Sequence, residues 1–403
     1  MKKVNEEIKN SDNTFTLPEV LIVMVICIAL GLFIGGFVVN NRNYVDANPK
    51  IDFNEMTGLY DDIKANYYGE YTENSMRDNT IMGLLSSLKD PYAKLITGDT
   101  AITYREDLES EYVGIGVVLE REEEGQYPTV KEIYKLSPAS KVDVKVGDYI
   151  IKVGNTDVKD KTIEEIYLMI KGGTRGDKIK ITFKRIEKNE AKYKNLTISK
   201  EIISTPSLSV NYIDKEDRKI AEIVIKAFSK NTFAEFKKAY EDITKEKCSG
   251  LIIDLRDNGG GFISSASNIA SMFLDKNEII YISKKNDKTE KVISKDERKI
   301  TLPTVIIVNE YTASGAEVLA TSLKENLDVI VVGNATYGKN TLQKIHKLND
   351  GSLVKFTIGE WLTSKGMSVS ENKLVPDVII DNVEVKDKNG ENDLQLIEAI
   401  KQF

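Results

Sequence analysis

Two short segments hold the residues best suited to chemistry. The first is Thr312-Ala313-Ser314-Gly315-Ala316-Glu317. The second, whose lysine follows the serine by 25 positions, is Tyr337-Gly338-Lys339-Asn340-Thr341-Leu342-Gln343. The chain has a single histidine, His346, so the base for a nucleophilic serine is expected from another residue type. Burial disfavours an ammonium and lowers a lysine's pKa. The neutral amine can then take a serine's proton, as histidine does in a triad. Ser314 falls between an apolar run ending near Val308 and a helical pattern. A helix N-terminus there supplies dipole and free N–H groups, and the Gly315 N–H is suited to an oxyanion. Serine is also the ordinary N-cap, so Ser314 alone specifies little.

A third segment, Asp254-Leu255-Arg256-Asp257-Asn258-Gly259-Gly260-Gly261, follows an apolar run and opens a helical pattern. Its glycines permit a tight turn with N–H groups in a cleft, and Gly260 is the candidate second oxyanion donor. Gly333 to Asn340 approaches a phosphate-binding loop, but Asn340 stands where a serine or threonine would hold magnesium. Residues 341–359 read as a hairpin around Asn349-Asp350-Gly351, not as the helix such a loop requires. Cys27 and Cys248 lie far apart and form no metal-spaced cluster or disulfide framework. The expected chemistry needs no metal, nucleotide or other cofactor. His346, in the alternating stretch Lys344 to Leu348, reads as a solvated strand residue. Trp361 and Phe356 read as sheet packing or cleft lining, and Cys248 as a residue at the core edge.

The elements that must position these residues begin with an anchor. Val20 to Val39 is uncharged and apolar, long enough to cross a bilayer. Lys2, Lys3 and Lys9 precede it and Arg42 follows, which favours a cytoplasmic N-terminus over 1–19. A cleaved signal peptide would need a small-x-small site that does not follow. A type IV prepilin leader would need glycine where Thr14 stands, before Phe15-Thr16-Leu17-Pro18-Glu19-Val20. A single-pass anchor at the cell membrane is therefore expected, with residues 40 onward extracytoplasmic. The chain has 403 residues, enough for two or three domains, and a net charge of −7 that argues against a nucleic-acid partner. A linker is expected at 40–50 and a helical region at 51–107. Met56, Leu59, Tyr60 and Ile63 share one helical face there, and Ile81, Leu84, Leu85 and Leu88 stripe a helix over Ser75 to Leu88 that Asp90-Pro91 ends.

Residues 108–187 form their own unit. Tyr112 to Leu119 is a glycine-bearing turn feeding a strand, Pro128 to Ile133 a strand, and Val146 to Gly154 a turn, strand and turn. Thr162 opens a helix with Glu165 at capping-box spacing, and Lys178 to Ile186 alternates as a strand. With Gly114-Ile115-Gly116 and the Gly147-Asp148 turn, the order resembles a PDZ domain. In such a domain the N–H groups of Gly114, Ile115 and Gly116 form a nest for a carboxylate beside a strand edge open to an extended peptide. Residues 188–383 alternate strands and helices, which predicts an α/β core with a mixed, largely parallel sheet. The segment 384–403 holds an amphipathic helix over Leu394 to Phe403 that packs on the body or on a second subunit.

Together, Asp90-Pro91-Tyr92, the PDZ-like unit, the Asp254 to Gly261 loop and the Ser314 and Lys339 segments resemble the carboxyl-terminal processing peptidases, or tail-specific proteases. The resemblance runs from about residue 50 to the end. It implies a serine endopeptidase with Ser314 as nucleophile, Lys339 as general base and Gln343 orienting the lysine. Gly260 and Gly315 would be the oxyanion donors. It also implies protein substrates with accessible apolar C-terminal tails, captured by the PDZ domain, and a possible homodimer. Departures from the family pattern are Gly259 for proline, Gly315 for alanine and Ala316 for a second serine. Glu325 reads as a surface helix charge. Lys171 and Arg175 both lie near a basic position that couples PDZ and active site in some members, and neither is assigned. The alternative is an idle protease fold that serves as a PDZ-bearing membrane scaffold.

Overall fold

The computed structural model describes residues 16–42, 52–121, 123, 125–381 and 393–403. The chain divides into Met1–Thr72 and Glu73–Phe403. In the first unit, α1 (Leu17–Arg42) contains a stretch, Leu17–Gly35, with mean hydropathy 2.7 and none of its described side chains buried. Its 19 residues rise about 28 Å, long enough to cross a membrane. A second helix, α2 (Phe53–Asn66), starts at Asp52, whose carboxylate caps it by accepting from the Asn54 N–H at 2.8 Å. Most of the linker expected at 40–50 lies outside the described residues.

The second unit opens with α3 (Glu73–Ser86), β1 (Lys94–Ile96) and α4 (Gly98–Glu109). Of the stripe expected on α3, only Leu85 is buried, while Leu84 and Leu88 stay exposed. The helix packs chiefly on the short β1, which is too small to cover a whole face.

The PDZ-like body comprises β2 (Glu111–Gly114), β3 (Val117–Glu120), β4 (Thr129–Ile133), β5 (Tyr149–Val153), β6 (Thr156–Asp157), α5 (Ile163–Ile170), β7 (Lys178–Glu187), β8 (Glu190–Ser199) and β9 (Glu201–Ser204). Strands β3-β4-β5-β7-β8 form one sheet, with β6 paired to β5, around Ile115, Val130, Ile150, Ile166 and Phe183. The capping box of α5 is present: Glu165 N–H donates to Thr162 Oγ1 at 3.1 Å and Thr162 N–H to Glu165 Oε2 at 2.8 Å. The sheet runs past residue 187. Lys188 and Asn189 both take positive φ, 51° and 66°, the conformation of a two-residue hairpin turn, and β8 pairs with β7 along its length. Strands β2 and β9 pair only with each other, as a separate ribbon.

The core follows as β10 (Leu208–Lys215), β11 (Arg218–Ile225), α6 (Thr232–Lys245), β12 (Gly250–Asp254), α7 (Ile263–Phe273), β13 (Ile279–Lys285), β14 (Lys288–Ile293), β15 (Thr304–Val308), α8 (Gly315–Leu327), β16 (Ile330–Gly333), β17 (Thr341–Lys347), β18 (Leu353–Leu362), β19 (Val378–Ile379) and α9 (Leu394–Lys401). One sheet has the order β10-β11-β12-β15-β16-β19 and is parallel except at β10. Its central strands are apolar almost throughout, because both faces are covered. Residues of α6, α7 and α8 share the core on one side, and α9 covers the other with Leu396, Ala399, Ile400 and Phe403. A second sheet, β1-β18-β13-β14 with β17 on β18, is wholly antiparallel. The expectation of a largely parallel architecture is therefore corrected to a mixed one. Short connections such as Asn286-Asp287 between β13 and β14 allow only antiparallel pairing.

The C-terminal helix is tied to the Asp254–Gly261 loop by charge. Arg256 donates to Asp254 (Nε to Oδ1 3.0 Å, Nη2 to Oδ2 2.6 Å) and to Asp393 (Nη1 to Oδ1 2.8 Å), the residue that caps α9. Removing one partner of a buried charge cluster typically costs about 3–5 kcal/mol. Asp393→Ala is expected to lower the unfolding free energy by an amount in that range, read as a lower midpoint of denaturant unfolding. A midpoint unchanged from the parent would show the cluster to be dispensable.

Candidate active site

The loops that leave the carboxyl ends of β12, β15 and β16 carry Gly260, Ser314 and Lys339, as parallel sheets arrange their sites. Ser314 caps α8 with φ 55° and ψ −117°, a region that costs a non-glycine residue on the order of 1–3 kcal/mol. Hydrogen bonds between the first two loops hold it there. Thr312 Oγ1 donates to the Leu255 carbonyl at 2.8 Å, the Ala313 N–H to the Asn258 carbonyl at 2.9 Å, and the Asp257 N–H to Asn309 Oδ1 at 3.0 Å. Gly260 lies against the nucleophile's backbone. A Cβ there would stand 2.8 Å from Ser314 Cβ and 2.9 Å from the Ala313 carbonyl oxygen, at φ 100°. Only glycine fits.

Of the two expected oxyanion donors, the structure leaves one open. The Gly315 N–H has no acceptor among the described residues. The Gly260 N–H donates to Asn258 Oδ1 at 2.9 Å, because an asparagine folds readily onto the backbone two residues ahead.

Lys339 is half-buried, and its amine donates to Gln343 Oε1 at 3.2 Å. Gln343 lies on strand β17, within the hairpin expected of residues 341–359. The Lys339 carbonyl accepts from Trp361 Nε1 at 3.1 Å, which fixes the lysine's backbone on the antiparallel sheet. Burial pushes the Lys339 pKa below the ordinary lysine range. The Glu317 carboxylate opposes that shift and the Lys94 ammonium adds to it. Ser314 Oγ and Lys339 Nζ share no hydrogen bond in this conformation.

What joins the serine and lysine segments is a residue to which sequence reasoning gave no role. The buried carboxylate of Glu317 accepts four hydrogen bonds: from the N–H groups of Ser314 (2.8 Å), Gly338 (2.7 Å) and Lys339 (2.9 Å), and from Thr336 Oγ1 (2.7 Å). Burial raises its pKa, and these bonds pull the other way. The Ser-x-x-Glu spacing of a capping box was the signal that pointed to it. A second missed residue is Tyr92, whose ring centroid lies 5.2 Å from Lys339 Nζ. Asp90 places it, accepting from the Tyr92 N–H at 3.0 Å and from the Thr357 N–H of β18 at 2.7 Å.

The remaining candidates lie elsewhere. Gly114, Ile115 and Gly116 lie where the chain packs closely on itself. A Cβ on Gly116 would collide with Ser137, and one on Gly114 with the Tyr112 ring. Ile115 is wholly buried in the PDZ-like core. Lys171 pairs with Glu106 at 3.4 Å and Arg175 with Glu201 at 2.6 Å. Glu325 is more than a surface charge, since it accepts from Ser364 Oγ and from the Lys365 N–H. His346 is exposed on β17. The residues after Lys339 form that strand, which rules out a phosphate-binding loop followed by a helix.

The profile of peptidase family S41 matches residues 219–380, and that of the PDZ domain matches 112–199. The carboxy-terminal processing protease CtpA of Bacillus subtilis (strain 168) is 34% identical over 362 residues, covering 89% of this chain and 75% of that protein. The chain belongs to peptidase family S41. A probable CtpA-like serine protease of Staphylococcus epidermidis is 28% identical over 344 residues, 85% of this chain and 68% of the relative. Among solved structures, the photosystem II D1 C-terminal processing protease overlaps 84% of this chain and 90% of its own, with 22% identity and a TM-score of 0.47. The family read from the motifs is thus the right one, and the chain is a serine-type peptidase that carries a PDZ domain.

Within this S41 peptidase, Glu317 provides a direct test. Glu317→Gln turns an NH2 group toward donors that need an acceptor, and an unsatisfied buried group costs about 1–3 kcal/mol. Thermal denaturation should show a stability loss of that size, and hydrogen exchange at the Gly338 and Lys339 amides should accelerate at least tenfold. Unchanged protection at those amides would contradict the role given to the carboxylate.

Proposed function

We propose that this protein is a membrane-anchored serine endopeptidase that cleaves proteins near their C-terminal tails through a Ser-Lys dyad. Ser314 attacks the scissile carbonyl and Lys339 accepts its proton. An acyl-enzyme forms, the amine returns the proton to the leaving group, and water hydrolyses the ester. Gly315, with Gly260, stabilises the oxyanion through backbone N–H groups. Gln343 holds the lysine amine by hydrogen bond. The PDZ domain binds the substrate's C-terminus, α1 anchors the chain in the cell membrane, and the catalytic part is extracytoplasmic.

One observation carries the reading. A lysine whose amine is half-buried and shifted toward its neutral form belongs to the same carboxylate-bound cluster as a serine at a helix N-terminus. Burial of this kind turns an ordinary ammonium into a general base. Two bonds must change for turnover: the Lys339 amine must gain one from Ser314 Oγ while Gln343 still holds it, and the Gly260 N–H must leave Asn258. Catalytic contacts of this sort commonly tighten only around substrate.

The same two bonds are what favours the scaffold alternative, and activity decides between them. The full-length chain in detergent is incubated with an unfolded protein that ends in an apolar tail. Cleavage should fall at least about a thousandfold in both Ser314→Ala and Lys339→Ala, with tail binding retained. Binding without cleavage by the parent chain would establish the scaffold instead. The rate should also rise with pH. Only the unprotonated amine accepts a proton, so activity appears as pH climbs through the depressed Lys339 pKa. A rate independent of pH from 6 to about 10 would exclude Lys339 as the base.

A further inference from the structure

One face of the antiparallel sheet beneath Lys339 is divided in two. Strand register sets Gln343 opposite Thr357, Ile345 opposite Lys355, and Lys94 opposite Lys355. Residues directly opposite, or two apart on one strand, share a face. The apolar end of this face holds Ile96, Leu353 and Ile345, covered by Ala101 and Tyr104 of α4. The polar end runs through Lys94 and Lys355 to Thr357 and Gln343, where the Lys339 amine is bound.

Like charges directly opposite on a ladder destabilise each other, yet Lys94 and Lys355 stand so. The nearest acid acting on Lys355 is Asp90, whose oxygens already accept from the Tyr92 and Thr357 N–H groups. Tyr104 lies against Lys355, its ring centroid 5.6 Å from Nζ. Lys339 faces Glu317 from α8, the neutral Gln343 from β17, the Tyr92 phenol, and this lysine pair from β1 and β18. Glu317 is the one acid among them that favours the Lys339 ammonium. Burial, then Lys339 and Lys94, push Lys355 down to about 8.

We propose that Lys94 and Lys355 form a cationic pair that favours the uncharged amine of Lys339, and so sets the pH at which the base becomes competent. The inference rests on the Ser-Lys reading above. Both residues act through Lys339, so they are positioning residues. Lys94 is exposed on β1. Lys355 and Lys339 titrate as a coupled pair, so each proton on Lys355 makes a proton on Lys339 less favourable.

The test is the acid limb of kcat/KM against pH for the full-length chain. The substrate is an internally quenched peptide with an amidated end and no charges. Lys94→Gln and Lys355→Gln should each move the limb to higher pH by roughly half a unit, with the alkaline plateau unchanged. A half-unit shift lowers the rate about threefold at pH values well below the limb. Lys355→Arg keeps a cation through the whole range and should move the limb to lower pH than in the parent. The Lys94→Gln shift should shrink in 1 M salt, because exposed charges are screened. Limbs at one pH in all three variants would overturn the proposal. So would an unmoved limb with KM raised only for substrates ending in a free carboxylate, since the pair would then anchor the tail. Failure of the Ser-Lys reading looks different: Lys339→Ala would retain full activity. Lys94→Gln, altered on the surface, keeps the test valid if a Lys355 variant fails to fold.

Discussion

The site depends on one buried carboxylate. Glu317 gathers backbone donors from the start of α8 and from the loop after β16. Without it those two segments would present bare N–H groups to each other across the interior, an arrangement that buried polar groups do not tolerate. The same oxygens lie near the lysine and favour its ammonium. The chain thus fastens its serine and lysine segments together with a group that opposes the lysine's neutral form. Burial outweighs that opposition.

Around this point, two sheets of different character divide the work. The parallel sheet delivers three loops to one edge, and its uniformly apolar strands make it rigid. The antiparallel sheet supplies the floor beneath Lys339 through Gln343 and Trp361. Ser314 belongs to the first and Lys339 lies at the junction with the second. The strained backbone at Ser314 persists because Gly260 and the Asn309–Thr312 turn leave it no room to relax.

The legible parts of the sequence were those with local signatures. The helix Thr232–Lys245 and the strand Thr304–Val308 are of this kind, since amphipathic spacing and a short apolar run need no distant partner. The Thr162 capping box is equally local. Less legible were features created by pairing across the chain. The strands β13 and β14 alternate too weakly to declare themselves, and β8 was cut from its sheet because a Lys-Asn turn lacks the usual glycine. The same holds at the site. Ser314, Lys339 and Gln343 stand out by motif, whereas what Tyr92 and Glu317 touch becomes visible only when segments far apart in sequence meet. The bond made by the Gly260 amide was hidden for a related reason: a side chain two residues away accepts from its N–H.

The two-stranded ribbon β2–β9 leaves a different mark on the molecule. Chain entry to and exit from the PDZ-like body run side by side, separated by about 4.8 Å, the spacing of paired strands. A domain whose two chain connections meet at one such point is a cassette. It can be exchanged for another whose ends meet at the same distance, while the catalytic loops keep their own supports. Change in the one body and constancy in the other can then proceed on separate schedules.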